Sequence, residues 1–375
     1  MAKIVVFNLG GTSSKVSLYE DDHCLDNFTI NYTEEETRPD ILGRELVAIN
    51  KKRVLDWMNG LHITPADVDA YAVRLGGMFY GGDGGTFPVE GQLRAFLDTV
   101  YVPDRHPAHP TQTTMALVDE LQKGLPEKRP SFATDPSSIT QFLPEARLTG
   151  HPLFKKRAAF HALNQRAAAR KAAARLGKRY EDVNLIVAHM GGGVSVGAHE
   201  MGRIIDVNNS TGDGDGPFSA DRCGSLPTGA LAHLCFSGQY TEQQVIRMLK
   251  GDGGLKAYLG TTDLREVERR MDQGDEEAAL VFRALGYQIA REVGACFATL
   301  CGQADAIVMT GGMAKSSKLV EEIRSRVERM APVLVFSGEF ENEALALGAW
   351  RVMTGQERPA VYSGEGDHEL PLNPI

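Results

Sequence analysis

The stretch Asn8-Leu-Gly-Gly-Thr-Ser-Ser-Lys15 decides how the first part of this sequence folds. Residues 3–7 before it and residues 15–19 after it are rich in β-branched and aromatic residues, which predicts two buried strands joined by a polar turn. Glycines let the chain turn tightly and bring backbone N–H groups close to an anion, and hydroxyls add further donors. Such a hairpin binds phosphate in one large group of ATPases, and it is an ordinary hairpin turn in many other proteins.

The second half of the chain repeats this plan. Residues 183–188 predict a strand, His189-Met-Gly-Gly-Gly193 a glycine turn, and residues 194–199 a second strand, with a third over residues 203–207. The first half likewise predicts three successive strands over residues 1–33. A duplication at this distance predicts two similar α/β domains rather than a solenoid of stacked repeats.

Periodicity and turn signals predict further elements. Helices are expected over residues 34–61, 155–176 and 275–300, and strands over residues 70–74, 130–134 and 306–310. The last of these strands ends at Gly311-Gly312 before a helix from Ser316, a turn that gives the close backbone access an adenosine needs. The basic residues of the alanine-rich helix are expected on a solvated face: Arg166, Arg170, Lys171 and Arg175.

Length and composition limit the classes of protein to which this chain can belong. A chain of 375 residues can bury two cores, and its net charge of −9 argues against a nucleic-acid partner. The five cysteines form no CxxC pair, so we expect buried free thiols in a reducing cytoplasm. The sequence begins directly with a strand, without the form of a signal peptide, and no apolar run is long enough to span a bilayer. These features predict a soluble, cytoplasmic protein without a membrane partner.

Five motifs, in the same order along the chain, resemble those of the acetate kinase branch of the acetate and sugar kinase/Hsp70/actin superfamily. Within that branch they are most similar to the butyrate kinases, over residues 1–354. The motifs are Asn8-Leu-Gly-Gly-Thr-Ser-Ser-Lys15, Phe160-His-Ala-Leu-Asn-Gln165, Gly214-Asp-Gly-Pro-Phe-Ser-Ala-Asp-Arg-Cys-Gly-Ser-Leu-Pro-Thr-Gly-Ala230, Ile307-Val-Met-Thr-Gly-Gly-Met313 and Gly338-Glu-Phe-Glu-Asn-Glu-Ala-Leu-Ala346.

The resemblance implies reversible, ATP-dependent phosphorylation of a short carboxylic acid to an acyl phosphate and ADP. A carboxylate nucleophile is already ionised at pH 7, so the reaction needs no strong base. It needs cations and a metal ion, because the charge of the transferring phosphoryl group spreads over three equatorial oxygens. Direct in-line transfer without a phosphoenzyme is therefore expected.

The resemblance also implies roles for individual residues. The catalytic residues would be Arg74, Asp135, His161 and Arg222. ATP or ADP would be bound by Asn8, Thr12, Ser13, Lys15, His189, Gly191, Gly192, Gly193, Gly311 and Gly312, with the first turn facing the γ-phosphoryl group and the second holding the phosphates of ADP. Mg²⁺ would be held by Asn8, Asp135 and Glu341. Glu339 and Glu343 flank Glu341, so a shift of two residues in this assignment stays open.

The implied fold is α/β, with two duplicated ribonuclease H-like (actin-like ATPase) domains and an active site in the cleft between them. The first domain would comprise residues 1–150 and 340–375, and the second residues 151–339, whose long helices would form a homodimer interface. Two alternatives remain: the same chemistry on propionate or a branched-chain acid, and a nucleotide-driven ATPase module of the actin or chaperone kind. The latter would not require Arg74, Arg222 and His161 together.

The sequence departs from the family pattern in and near the expected substrate site. Gly11 replaces a serine in the first turn, and Leu75 interrupts the Arg-Gly-Gly expected after Arg74. Acetate kinases carry a branched residue two places after the arginine, where this chain has Gly76. Less bulk at that place favours an acid longer than acetate. His106 matches a histidine of the family's substrate cleft, and His109 stands where butyrate kinases more often carry asparagine; neither is assigned to catalysis.

Overall fold

The structure is a computed structural model that describes residues 1–10, 13–38, 40–76, 82–100, 110–139, 141–154, 156–210 and 214–364. The chain divides into two compact units, each of which has most of its contacts within itself. The first comprises Met1–Ile139 and Phe340–Ile375, and the second comprises Thr140–Glu339.

The helices and strands are numbered here in chain order. The elements before residue 140 are β1 (Lys3–Leu9), β2 (Ser13–Glu20), β3 (His23–Asn31), α1 (Gly43–Gly60), β4 (Ala70–Val73), β5 (Thr86–Pro88), α2 (Gly91–Val100), α3 (Pro110–Leu121) and β6 (Ser131–Thr134). Those that follow are α4 (Ala162–Arg175), β7 (Asn184–Met190), β8 (Val194–Glu200), β9 (Arg203–Val207), α5 (Thr228–Cys235), α6 (Glu242–Leu249), α7 (Gly254–Leu259), α8 (Leu264–Asp272), α9 (Glu276–Thr299), β10 (Ala306–Gly311), α10 (Ser317–Val327), β11 (Val333–Ser337) and α11 (Glu341–Met353).

The first unit is built on a six-stranded mixed sheet in the order β3-β2-β1-β4-β6-β5. The strands β1, β2 and β3 pair antiparallel, as the predicted hairpins require. The strands β4 and β6 then continue the sheet parallel to β1, and β5 closes the edge antiparallel to β6. The parallel strands β1, β4 and β6 therefore all end at the same edge of the sheet.

The second unit repeats this topology in a five-stranded sheet in the order β11-β10-β7-β8-β9. Its first three strands in sequence, β7, β8 and β9, pair antiparallel, and β10 and β11 lie parallel to β7. The predicted duplication of strand, glycine turn and strand is therefore confirmed.

Apolar residues of β7 are buried on both faces of the second sheet. Ile186, Ala188 and Met190 belong to the core that α9 covers, whereas Leu185 and Val187 face the alanines of α4. A strand that is covered on both sides reads as a continuous apolar run, which is how β7 reads in the sequence. Alanine side chains are small, so α4 lies close to the strands that it covers.

The structure confirms most predicted elements and corrects their extents. The helix predicted over residues 155–176 begins at Ala162, and the helix predicted over residues 34–61 begins at Gly43 after a short 3₁₀ turn. Residues 156–159 are held outside the helix, because Lys156 pairs with Asp206 at 2.5 Å and the Ala159 carbonyl accepts a hydrogen bond from a distant backbone N–H. The strand β11 and the helices α5–α8 were not predicted.

Two expectations about side-chain exposure were wrong. Arg166 is buried rather than solvated, and its Nη2 donates to Gln141 Oε1 at 2.8 Å. All five cysteines are free, but Cys24, Cys235 and Cys301 are exposed and Cys296 alone is fully buried. In the part of the chain that the structure describes, no helix combines the length and the apolar character needed to cross a membrane.

Candidate active site

Three of the predicted site residues lie at the carboxyl ends of neighbouring parallel strands in the first unit. Asn8 is the penultimate residue of β1, Arg74 follows β4 directly, and Asp135 follows β6 directly. In open α/β sheets, ligands bind outside the carboxyl ends of the strands. The topology therefore brings these three residues to the edge where a ligand is expected.

Asn8 connects this edge to the beginning of α11. Its Nδ2 donates to Glu341 Oε2 at 2.8 Å, and its Oδ1 accepts from Arg74 Nη1 at 3.2 Å. The same Arg74 nitrogen lies 3.5 Å from Glu341 Oε2, and the Glu341 side chain is only 14% exposed. The structure thus brings together Asn8, Arg74 and Glu341, which are 333 residues apart at the extremes.

Glu341 is the glutamate of its acidic run that makes these contacts, which favours it over a neighbour two residues away. Asn342 supports the contact from the next position, because its Oδ1 accepts from Asn8 Nδ2 at 3.0 Å. Its own Nδ2 donates to Ser17 Oγ on β2 at 2.5 Å. Asn8 is therefore held by two successive residues of α11.

Asp135 is held in an unusual backbone conformation. Its φ of +41° lies in the left-handed region, which aspartate and asparagine tolerate better than most residues. Its Oδ1 accepts from the backbone N–H of Gly85 at 2.9 Å, and its own N–H donates to the Gly85 carbonyl at 3.0 Å. This pair of hydrogen bonds fixes the carboxylate at the end of β6, where it is 2% exposed.

The first turn is described only in part, since Gly11 and Thr12 lie outside the described residues. Lys15 is exposed on β2, directly across from Asn8 in the hairpin, and Ser13 is half-buried at the start of the strand. Ser14 was not predicted to matter, but its Oγ accepts from the backbone N–H of Gly10 at 3.2 Å and lies 2.8 Å from the Tyr32 hydroxyl. Ser14 therefore shapes the turn, and Ser13 and Lys15 are the predicted phosphate contacts of this turn that the structure describes beside Asn8.

In the second unit, Arg222 packs against the glycine turn. A Cβ added at Gly193 would lie 2.1 Å from Arg222 Nη1, so only glycine leaves room for the guanidinium. The same nitrogen donates to the backbone carbonyl of Ser210. The turn itself is closed by a hydrogen bond from the Gly191 N–H to the Gly193 carbonyl at 3.0 Å, and Ser219 Oγ donates to the Gly192 carbonyl at 2.7 Å.

His161 lies immediately before α4 and contacts Ser210, whose carbonyl accepts from Arg222. Its Nδ1 lies 3.0 Å from Ser195 Oγ and 3.3 Å from Ser210 Oγ. Ser210 therefore contacts His161 through its hydroxyl and Arg222 through its carbonyl, which brings the imidazole and the guanidinium to one place beside the glycine turn.

His189 stacks on His161. Their ring centroids are 3.9 Å apart with an angle of 14° between the ring planes. His189 is buried, and its Nδ1 lies 2.7 Å from Asn164 Nδ2, which also donates to Thr310 Oγ1 at 3.2 Å. His189 thus supports the ring of His161, a contact that the assignment to nucleotide binding did not anticipate.

The late glycine pair follows β10 as predicted. Gly311 has a φ of +92°, and a Cβ there would lie 2.3 Å from the Met190 carbonyl oxygen at the end of β7. Gly311 therefore permits two neighbouring strand ends to approach closely. A Cβ on Gly312 would meet nothing within 4 Å, which leaves the backbone open as nucleotide contact would require.

The structure describes only some of the other positions at which the sequence departs from the family pattern. His106 and His109 lie outside the described residues. Leu75 is buried in the core of the first unit. Gly76 has a φ of +57°, and a Cβ on it would lie 3.6 Å from Thr111 Cγ2.

The family of the chain follows from its sequence. The family model described as "Acetokinase family" matches residues 143–343, which is more than half of the chain. The chain belongs to the acetokinase family. Membership of this family supports the interpretation of the chain as a kinase that phosphorylates a carboxylate with ATP.

Solved structures agree with this assignment at the level of the fold. The chain is similar to the acetate kinase of Porphyromonas gingivalis, with 18% identity, a TM-score of 0.75, and coverage of 95% of this chain and 100% of the other. It is also similar to a propionate kinase from Francisella tularensis, with 17% identity, a TM-score of 0.72, and coverage of 93% and 99%. The predicted fold of two duplicated ribonuclease H-like domains is therefore confirmed.

Besides Ser14, sequence reasoning missed five residues that hold the site of this acetokinase family member. They are Asn164, Gln165, Ser195, Ser210 and Asn342. Asn164 and Gln165 are two adjacent amides in an alanine-rich helix, and Asn342 directly follows Glu341. Both features can be seen in the sequence and could have pointed to these three residues. Ser210 has no such signal, because its contact with His161 joins residues 49 positions apart.

Proposed function

We propose that this protein is a butyrate kinase. It would transfer the γ-phosphoryl group of ATP to the carboxylate of a four-carbon acid, giving butyryl phosphate and ADP, and would catalyse the reverse reaction. The observation that carries the proposal is the meeting of His161 and Arg222 at Ser210, beside the glycine turn. An ATPase module of the actin or chaperone kind has no use for an imidazole and a guanidinium at this place.

The proposed chemistry is in-line displacement at phosphorus. A carboxylate oxygen forms a bond to the γ-phosphorus while the bond from that phosphorus to the bridging oxygen breaks, and the electron pair leaves with ADP. The acid is ionised at pH 7, so no side chain has to remove a proton. The protein's task is to position two anions and to stabilise charge on the equatorial oxygens.

Each of the predicted catalytic residues is assigned its own role in this reaction. Arg222 and His161 are assigned to the equatorial oxygens of the transferring phosphoryl group, because a guanidinium fork and an imidazole N–H both match oxygen acceptors. Arg74 is assigned to the substrate carboxylate, which a guanidinium can bind bidentately. Asp135, with its carboxylate fixed by Gly85, is assigned to orienting the reacting groups.

The residues around Glu341 fit a magnesium ion. Glu341 Oε2 accepts from Asn8, while its Oε1 makes no hydrogen bond to any residue that the structure describes. Within the described ranges, no three His, Cys, Asp or Glu side chains come together as a metal site. Mg²⁺ keeps several waters and phosphate oxygens, so one or two carboxylates suffice, and we assign Glu341 and Asp135 with Asn8 as a further ligand. When bound, the ion would neutralise charge on the β- and γ-phosphates.

The preference for a four-carbon acid rests on Gly76. A Cβ there would come within 3.6 Å of Thr111 Cγ2, so glycine leaves space beside Arg74 that a branched residue would fill. Burying each additional CH₂ stabilises a complex by about 0.8 kcal/mol. Two methylenes therefore favour butyrate over acetate by roughly 15-fold in kcat/KM, while propionate or a branched acid would gain part of this factor.

We further propose that the protein forms a homodimer through α5 and the loop that follows it, rather than through the long helices that the resemblance implies. None of the residues of α5 is buried, although the helix is largely apolar. Phe236 directly after it is 92% exposed, and Ile246 on α6 is 55% exposed. The exposed apolar residues of α5 and Phe236 are adjacent along the chain, and contiguous apolar surface of this kind marks association sites. Replacing Phe236 with Glu should convert a dimer into a monomer in light scattering coupled to size exclusion; a wild-type monomer would contradict the proposal. The five free cysteines fit a reducing cytoplasm.

One assay tests the catalytic proposal. Purified protein with MgATP, hydroxylamine and a panel of C2 to C6 acids should trap acyl hydroxamate, with the highest kcat/KM near C4. ATP turnover that is independent of every acid would exclude a carboxylate kinase, and an optimum at C2 or C3 would exclude butyrate. Arg222→Ala should lower kcat by about 10³-fold or more while the affinity for ATP changes far less. An unchanged kcat would remove Arg222 from the mechanism.

A further inference from the structure

A chain of buried polar side chains leads from the interior of the second unit to His161. It consists of Tyr180, His199, Gln165 and Ser195, each of which is at most 5% exposed. The Tyr180 hydroxyl lies 2.8 Å from His199 Nδ1, and His199 Nε2 lies 3.0 Å from Gln165 Oε1. Gln165 Nε2 donates to Ser195 Oγ at 2.8 Å, and Ser195 Oγ lies 3.0 Å from His161 Nδ1. None of these four residues has a role in the proposed chemistry.

One backbone carbonyl fixes the direction of every hydrogen bond in this buried polar chain. Gln165 Nε2 lies 3.0 Å from the carbonyl oxygen of Ser195, which can only accept. The amide nitrogen of Gln165 must therefore face Ser195, and its Oε1 must face His199. An amide oxygen only accepts, so the proton of His199 is on Nε2.

His199 is neutral, which extends the same direction to Tyr180. Burial, with a smaller contribution from the charge of Arg166, lowers the pKa of His199 to about 3. With its one proton on Nε2, Nδ1 of His199 has a lone pair and accepts from the Tyr180 hydroxyl.

The direction also determines the proton of His161. Ser195 is completely buried, and its Oγ already accepts from Gln165. The hydroxyl proton then needs an acceptor, since a buried donor without a partner costs about 1–3 kcal/mol. His161 Nδ1 is the acceptor within reach, at 3.0 Å. A neutral imidazole that accepts at Nδ1 carries its proton on Nε2.

We propose that the buried polar chain holds neutral His161 in the tautomer with the proton on Nε2. Ser195, Gln165 and His199 are then positioning residues, and His161 presents an N–H donor without having to be protonated. Several charged or titratable groups of the described residues face the rings. His189 stacks on His161 from β7, Arg222 reaches the Ser210 carbonyl next to it, and Arg166 faces His199 from α4.

The glycine at position 197 provides independent support. A Cβ there would lie 2.6 Å from Gln165 Oε1 and 3.4 Å from His199 Nε2. Strand β8 therefore carries a residue without a side chain at the place where the amide meets the imidazole. Gly197→Ala would separate these two groups while removing no polar atom, and no positive φ stands in the way of alanine.

The direct test is the tautomer itself, measured in the full-length protein by long-range ¹H–¹⁵N correlation NMR with ¹⁵N-labelled histidine at pH 8.5. The His161 signals are identified by their loss in His161→Gln. In the wild type we expect Nε2 protonated and Nδ1 unprotonated as a single species. In Ser195→Ala we expect a mixture, because Nδ1 can then donate to Ser210. We expect a mixture in Gly197→Ala as well, because the methyl group displaces the whole Gln165 amide and so removes its donor from Ser195. A wild-type proton on Nδ1, a wild-type mixture, or a ring still charged at pH 8.5 would overturn the proposal.

Tyr180→Phe is the matched control at the far end of the chain. It removes the donor to His199 but leaves the Ser195 carbonyl, which sets the direction, so His161 should keep the wild-type tautomer. A tautomer change in Tyr180→Phe that equals the change in Ser195→Ala would mean general loosening of the core and would overturn the proposal.

The consequence for catalysis rests on the proposed kinase function, whereas the tautomer does not. The wild-type kcat should stay constant between pH 7 and 9, because the neutral ring already donates. Ser195→Ala should lower kcat by about 3- to 10-fold, the worth of one hydrogen bond, with KM for ATP within about twofold of the wild type. A wild-type kcat that falls with titration of His161 would overturn the proposal. Absence of any kinase activity would contradict the proposed function and leave the NMR result to decide the tautomer.

Discussion

Replacing Gly193 with alanine should displace the guanidinium of Arg222 while residue 222 itself stays arginine. Gly193 does not have a left-handed φ, so alanine fits the backbone without strain. Its Cβ, however, would lie 2.1 Å from Arg222 Nη1, 3.1 Å from Arg222 Cζ and 3.0 Å from the Ser210 carbonyl oxygen. The methyl group therefore occupies the place of the guanidinium and presses on the carbonyl that holds it.

The size of the effect follows from the distance. Non-bonded heavy atoms rest roughly 3.5 Å apart, so the guanidinium has to move by about 1.4 Å. A misplacement of about 1 Å in a catalytic group costs on the order of 10²-fold in rate, or about 2.7 kcal/mol of transition-state stabilisation. We therefore expect kcat for acyl hydroxamate formation to fall by about 100-fold in Gly193→Ala, with the midpoint of thermal unfolding nearly unchanged.

A double-mutant cycle with Arg222→Ala identifies the cause. If the methyl group acts by displacing Arg222, the double variant should be no slower than Arg222→Ala alone. Gly192→Ala is the matched comparison in the same turn, because its Cβ would meet nothing within 4 Å. Whatever effect Gly192→Ala has should add to that of Arg222→Ala. Additive losses for Gly193→Ala and Arg222→Ala, or a wild-type kcat in Gly193→Ala, would refute the assigned packing of Arg222 on the turn.

Three further predictions concern the two units separately. Asp135→Asn keeps the acceptor for Gly85 and tolerates the positive φ, so kcat should fall at least tenfold at a similar melting temperature; a large drop in melting temperature would instead indicate a structural role. The pKa of His199 is lowered from 6.5 to about 3 in the folded protein. The stability that His199 contributes is therefore complete above pH 6.5, and between pH 6.5 and about 3 it decreases by about 1.4 kcal/mol for each pH unit. Urea unfolding at pH 7 and pH 5 should thus show a smaller loss in His199→Gln than in the wild type; equal losses would contradict this. Gly311→Ala, with a clash and a positive φ, should lower the free energy of unfolding by about 1–3 kcal/mol or more, whereas Gly312→Ala should change it little in the same urea titration.

The fold could be predicted to a large extent because its signals are local. Each hairpin is written in adjacent residues as two apolar runs around a glycine turn, and the second copy of this pattern revealed the duplication. The extent of α4 could not be read in this way. Helix propensity continues back to residue 155, but Lys156 pairs with Asp206 and the Ala159 carbonyl accepts from the Ser210 N–H, so tertiary contacts end the helix at Ala162.

The candidate site was predictable where strand ends determine position and not where long-range contacts do. The place of Asp135 could be predicted because a carboxylate directly follows a buried strand. The burial of Arg166 could not, because its partner Gln141 lies in a loop 25 residues away. Asn342 likewise reaches Ser17 across 325 positions. Polar residues that hold a site need only one partner of matching geometry, and no periodicity marks such a partner.

The duplication shows how two units with one topology came to offer different chemistry. Asn8 and His189 occupy equivalent places, each the penultimate residue of the central strand that begins its hairpin. In each unit an asparagine from the helix packed on that strand holds the side chain: Asn342 of α11 contacts Asn8, and Asn164 of α4 contacts His189. The support is therefore the same, and the difference lies in the residue supported. An amide at this position joins a carboxylate and a guanidinium, which suits a metal and an anion, whereas an imidazole stacks on a second imidazole and fixes its plane.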